Sequence, residues 1–156
     1  DEYGIAAAKA IALTNDFDAV REFIDQIIVG GGGDIPEPIN DALKAATSKP
    51  MGWTRDKHSI IVLIGDSPVH PNGRRDAVNQ ARGFVRQYRG VVNVIDVGSG
   101  HEAVLQDFAD IAAAGNGTAS LLASEDAFWE DLIVSVFGKR FEQDVRLIVE
   151  RYAKHR

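Results

Sequence analysis

Few side chains in this sequence have the type and placement to do chemistry. Asp66-Ser67-Pro68-Val69-His70 directly follows an unbroken apolar run, Ser59 to Gly65, and Asp34 follows four consecutive glycines, Gly30 to Gly33. A carboxylate at the end of a buried strand faces the crevice where open α/β sheets bind ligands. If the glycine-rich loop lies beside that strand end, Asp34 and Asp66 converge. Two carboxylates and solvent suit Mg2+, Mn2+ or Ca2+, which take oxygen ligands, better than zinc. Each aspartate also has a plainer reading. Asp66 can simply start a turn, and Asp34 with Glu37 forms a capping box for the next helix. The glycines do not form a phosphate cradle, because they follow a helix and carry neither a lysine nor a G-x-G-x-x-G frame.

A hydrolytic centre is the rival reading, with His70 and His101 joining Asp66 as metal ligands or general base and Ser67 as nucleophile. The sequence around Ser67 lacks the G-x-S-x-G elbow, and His70 lies between Val69 and Pro71 as a loop residue. No catalytic residue is assigned, and the chain is expected not to be an enzyme. A third reading is a structural scaffold without metal, whose carboxylates only cap and turn.

These residues need a frame to hold them. Thr14-Asn15-Asp16 supplies caps for a helix carrying Phe17, Val20, Phe23, Ile24, Ile27 and Ile28, which the glycines end. A second helix is expected from Asp34, with Ile39, Ala42, Leu43 and Ala46 on one face. The run 59–65 reads as a central parallel strand covered on both sides. Helical spacing over Arg74–Arg89, a β-branched run over Val91–Val97, a helix over Glu102–Ala113 and a short strand over Thr118–Leu122 continue the alternation. Asn116-Gly117-Thr118 is a turn before it is a glycosylation triplet. Two more helical faces follow Glu125, and residues 136–156 read as an outer helix packed on the rest. The expected fold is α/β: a doubly wound, mostly parallel sheet flanked by helices, in one domain over 1–156.

Composition narrows the partners. A net charge of −6 argues against a phosphate backbone as ligand. The absence of cysteine removes disulfides and thiolate chemistry but suits either redox compartment. No apolar run is long enough to span a bilayer. The opening Asp1-Glu2-Tyr3 reads as the start of a segment cut from a longer protein.

Three stretches in order resemble bacterial von Willebrand factor A-type domains. They are Leu13-Thr14-Asn15-Asp16, Gly30 to Glu37 with Ala42-Leu43, and Ile61 to His70. Ile95-Asp96-Val97-Gly98, Phe108 to Ala112 and Gly117-Thr118 extend the likeness over nearly the whole chain. The resemblance implies a Rossmann-like sheet and a metal-ion-dependent adhesion site, with a cation at the strand ends held in part by Asp34 and Asp66. It also implies a free coordination position that accepts an acidic side chain of a protein partner. Adhesion-like binding is the expected function, and an extracytoplasmic location is weakly favoured.

The family's D-x-S-x-S motif occurs nowhere in this sequence, and the chain starts where the family's third strand would begin. In the strand order 3-2-1-4-5-6, the two missing strands lie between the third strand and the fourth, Ile60 to Ile64, so their loss leaves a hole in the sheet and an open edge there. A complementing chain, a second copy, or the Tyr3 to Leu13 segment would have to cover it. The resemblance makes that segment a strand.

Overall fold

The computed structural model describes residues 9–28, 36–98, 102–122 and 125–153. Its elements run α1 (Phe17–Asp25), α2 (Ile39–Ala46), β1 (Ile60–Gly65), α3 (Arg74–Tyr88), β2 (Val91–Asp96), α4 (Glu102–Ala114), β3 (Ala119–Leu121), α5 (Glu125–Phe137) and α6 (Glu142–Ala153). Short 3-10 turns at Lys49–Met51, Pro71–Gly73 and Lys139–Phe141 join some of them. This is the expected α/β architecture.

The three strands form one parallel sheet in the order β1-β2-β3, with Ile60 opposite Val91 and Gly65 opposite Asp96. Side chains alternate between faces along a strand, and here the two faces have different jobs. Val92 and Val94 join Ile61 and Leu63 against Phe84, Phe108 and Ile111, so α3 and α4 cover that side, with α2 packed on α3. Asn93 faces the other way: its Nδ2 donates to the Ser135 carbonyl of α5 at 3.1 Å, and its Oδ1 accepts the Thr118 amide at 3.0 Å. One buried amide thus ties the middle strand to a helix and to the approach of β3. Helices on both faces make the sheet doubly wound, and α6 packs on α5.

Among the described residues β1 pairs with β2 alone. Val91 N donates to Ser59 O and Val97 N to Gly65 O, which places the odd-numbered residues of β1 in the ladder with β2. Ile64 is 44% exposed, although it belongs to the apolar run. The open edge expected from the sequence is therefore present in the described part of the chain. Lys9 to Leu13 form no strand, and Leu13 instead donates its amide to Met51 O at 3.0 Å. The rest of the expected strand, Tyr3 to Ala8, lies outside the described residues.

Three helix boundaries differ from expectation, those of α1 and α2 and that of the outer helix expected over 136–156, where α5 runs on to Phe137 and α6 begins only at Glu142. Asp16 caps α1 as expected, its Oδ1 accepting from Asp18 N and Ala19 N. However, α1 ends at Asp25, leaving Ile27 and Ile28 exposed beyond it. The second helix begins at Ile39 rather than Asp34, with Pro38 as N-cap and no side-chain cap bond. Pro38 disfavours helical geometry at Glu37 before it, and Glu37 is instead bridged to Val69, so the helix starts only after Pro38. A capping box through Glu37 is thereby excluded.

Candidate functional site

The loop after β1 is fixed from below. Val69 is buried, and its amide donates to Asp107 Oδ2 at 3.0 Å. The other oxygen of the same carboxylate, Oδ1, lies 3.0 Å from Arg74 Nε. Asp107 projects from α4 on the same stripe as Val104, Phe108 and Ile111, all buried. A carboxylate placed among apolar side chains is costly unless bonded, and here both oxygens are engaged. Arg74 opens α3, so one carboxylate links α4, the β1 loop and the start of α3.

The same loop is also held from the side. Glu37 N donates to Pro68 O at 2.9 Å and His70 N to Glu37 O at 3.1 Å, which makes a parallel bridge between Glu37 and Val69. This is what the extended Pro36-Glu37-Pro38 segment does in place of capping a helix. It lays residues 36–38 alongside the loop that follows β1.

Asp66 stands exposed above this fixed loop, at the carboxyl end of β1. The half-buried Ser67 donates its hydroxyl to Asp66 Oδ1 at 3.2 Å. On the neighbouring strand Asp96 is buried in register with Gly65, and its Oδ1 accepts the Gly98 amide at 3.1 Å. That bond turns the chain off the end of β2.

The sequence-derived candidates fare unevenly. Asp66 lies where expected. Asp34 and His101 lie outside the described residues, so the convergence of Asp34 on Asp66 is not part of this geometry. His70 is exposed at the start of the 3-10 turn, its backbone rather than its ring tied to Glu37. Among the described residues no group of three or more His, Asp and Glu side chains is placed to hold a metal ion. Asp66 and Ser67 offer one carboxylate and one hydroxyl, well short of the roughly six oxygens of a magnesium site. The described residues do not by themselves fit a resident cation.

Asp107 went unread in the sequence, although a signal was there. A carboxylate three residues after Val104 and four before Ile111 sits on the apolar face of its helix. Such a residue must find partners inside the protein.

Fold and loop together define an α/β protein of Rossmann-like architecture with an ordered, solvent-facing loop at the carboxyl ends of its parallel strands. No family model matches the chain, and no curated protein matches it. Among solved structures it is similar to the conserved hypothetical protein BatB from Bacteroides thetaiotaomicron. That likeness has a TM-score of 0.58 and 19% sequence identity, and it covers 78% of this chain and 67% of that one. At such identity it shows a shared fold.

Proposed function

We propose that this chain is a von Willebrand factor A-type module that binds a protein partner through the loop at Asp66 and turns over no substrate. The observation that carries the reading is the double clamp beneath that loop. Asp107 holds Val69 from below and Glu37 brackets Pro68 and His70 from the side, while Asp66 remains exposed. A contact loop ordered in advance loses its conformational entropy on folding rather than on association, which favours binding. The motifs that resemble the family's, in the same order, support the reading, and the fold shared with BatB supports its architecture.

A Mg2+, Mn2+ or Ca2+ ion belongs to this reading only if Asp34 and further oxygens join Asp66. With such an ion the partner would offer an acidic side chain. Without it, Asp66 would accept hydrogen bonds from amide, hydroxyl or guanidinium donors on the partner. A complementing chain or a second copy along the free edge of β1 fits the same module.

The test is calorimetric titration of Mg2+, Mn2+ and Ca2+ into the purified chain and into Asp66→Ala, alongside a screen of ester and phosphoester hydrolysis. Saturable heat that Asp66→Ala abolishes supports the cation-dependent form. Hydrolysis that stops on replacing Asp66 or His70 overturns the reading in favour of an enzyme.

A further inference from the structure

Helix α3 carries a second surface, remote in chemistry from Asp66. Residues 74–89 hold five arginines against one aspartate, in a chain whose net charge is −6. Four of the arginines share a face. Arg75, Asn79, Arg82 and Arg86 follow one another at spacings of four, three and four, and Arg89 continues the row as the left-handed residue closing the helix. At 3.6 residues per turn this spacing keeps all five on one narrow stripe, and every one of them is exposed. Ala77, Ala81, Phe84 and Tyr88 occupy the opposite, buried side. Asp76 lies one turn before Gln80, whose Oε1 accepts from the Thr47 hydroxyl at the end of α2, so it falls on the flank toward α2.

The stripe borders a groove. Between α3 and α4 an open furrow is lined by Val78, Val85, Arg82 and Arg86 on one wall and by Asp110, Ala113, Ala114 and Asn116 on the other. Val78, Val85, Ala113 and Ala114 give it apolar surface, and Arg82 and Arg86 make its α3 side cationic. The one acidic group in the wall is engaged, since Gln106 Nε2 donates to Asp110 Oδ1 at 2.9 Å. Arg82 is oriented by its bond to Asn79 Oδ1 at 3.2 Å. Among the described residues no ion pair to Arg75, Arg82, Arg86 or Arg89 is formed, whereas Arg74 is paired with Asp107.

We infer that this groove docks an acidic amphipathic helix of a partner protein, separately from any contact at Asp66. A furrow between two packed helices accepts a third helix by its apolar stripe. Arg82 and Arg86, one turn apart, then meet carboxylates spaced one turn apart on the incoming helix, and guanidinium groups bind carboxylates in a bidentate fork. A DNA or RNA backbone is the poorer occupant, because it has no apolar stripe to place against Val78, Val85, Ala113 and Ala114.

The probe is a synthetic helix of about 18 residues with leucine and alanine on one stripe and glutamate flanking it. Its glutamate-to-lysine twin and a scrambled version serve as controls, read by fluorescence anisotropy against the intact chain. We expect the acidic helix to bind, and the lysine twin and the scrambled peptide to fail. Arg82→Glu with Arg86→Glu should weaken binding roughly tenfold or more. Ala113→Trp, which fills the furrow without changing charge, should weaken it comparably. All three substitutions are at exposed positions, so thermal melting should be unchanged. The inference is overturned if the double arginine variant binds as well as the native chain, or if Ala113→Trp has no effect and the scrambled peptide binds equally. Tighter binding of a short DNA duplex or of phosphatidylserine vesicles than of the peptide overturns it too. So does concentration-dependent self-association abolished by the arginine variant, which would make a second copy the occupant.

Discussion

The Asp107 carboxylate accepts the amide hydrogen of Val69 at 3.0 Å, joining residues 38 positions apart in sequence. Through this bond a carboxylate on the buried, otherwise apolar face of α4 fixes where the β1 loop runs. It is strengthened by Arg74, whose guanidinium is half exposed while Asp107 is 8% exposed.

That asymmetry orders the effects of three substitutions. Asp107→Ala leaves a buried amide unpaired and a cation without its partner, and should cost about 2–4 kcal/mol. Asp107→Asn keeps an acceptor for Val69 and should cost about half as much. Arg74→Ala removes only a partly solvated charge and should cost about 1 kcal/mol or less. Urea denaturation midpoints measure all three; an Arg74→Ala loss equal to that of Asp107→Ala would mean that the ion pair, not the Val69 bond, holds the loop.

Asp66→Ala should behave differently, because Asp66 is exposed and bonded only to its neighbour Ser67 among the contacts described above. Stability should stay within about 0.5 kcal/mol of the native chain. A loss of binding at the loop would then report on contact rather than folding. Thermal melting of the two proteins side by side checks this, and a drop comparable to that of Asp107→Ala would assign Asp66 a structural role.

The frame of this protein was legible because its signals are local. The unbroken run before Asp66 became β1, the spacing after Arg74 became α3, and Asn116-Gly117 became a turn, with Asn116 left-handed at φ 54°. The clamp was not legible. Asp107 meets Val69 only after β1, α3 and β2 have packed, and no local pattern announces a partner so distant in the chain. Glu37 misled for a related reason. Its spacing from Asp34 copied a capping box, but the flanking prolines commit it to an extended strand-like bridge. Of the paired carboxylates read as a cation site, only Asp66 falls within the described geometry.

Gly117 makes a further prediction. A methyl group built on it would lie 2.1 Å from Val92 O and 2.7 Å from Asn93 Oδ1, which itself accepts the Thr118 amide. Gly117→Ala must therefore push β3's approach away from β2 and should cost about 1–3 kcal/mol. Asn93→Ala should cost a similar amount by freeing the Ser135 carbonyl and the Thr118 amide together. If the two losses arise from the same junction, the double variant will fall short of their sum in a denaturation cycle.

Asp56 provides the pH-dependent case. The Thr54 hydroxyl and then its own backbone amide hold its carboxyl below the ordinary 3.8; desolvation opposes them, and nearby Lys57 adds the least. A carboxyl whose folded value is lowered adds stability above its unfolded value and loses it as pH falls through the folded one. Since Asp56 is fully exposed, the effect on stability is small and the titration itself is the readout. NMR should place its midpoint below 3.8, and Thr54→Val should move it upward; an unmoved midpoint would show that Thr54 is not the main cause.

The edge of β1 offers a direct test of whether a further strand pairs with it. Val91 N donates to Ser59 O and Val97 N to Gly65 O, so parallel pairing alternates with a period of two between these ends. The amides of Ile61, Leu63 and Gly65 then point to β2, and those of Ile60, Val62 and Ile64 point to the edge that no strand covers among the described residues. Natural sheets protect such edges with charges, prolines or bulges, and Ile60 to Ile64 has no charged residue or proline. In the isolated monomer Ile60, Val62 and Ile64 should exchange their amide hydrogens fast while Ile61 and Leu63 stay protected. Hydrogen exchange resolved by residue separates the two sets. Protection of the even-numbered set that rises with protein concentration would identify a second copy on the edge. Protection independent of concentration would identify a segment of the same chain, and protection appearing only with an added partner would identify a complementing strand.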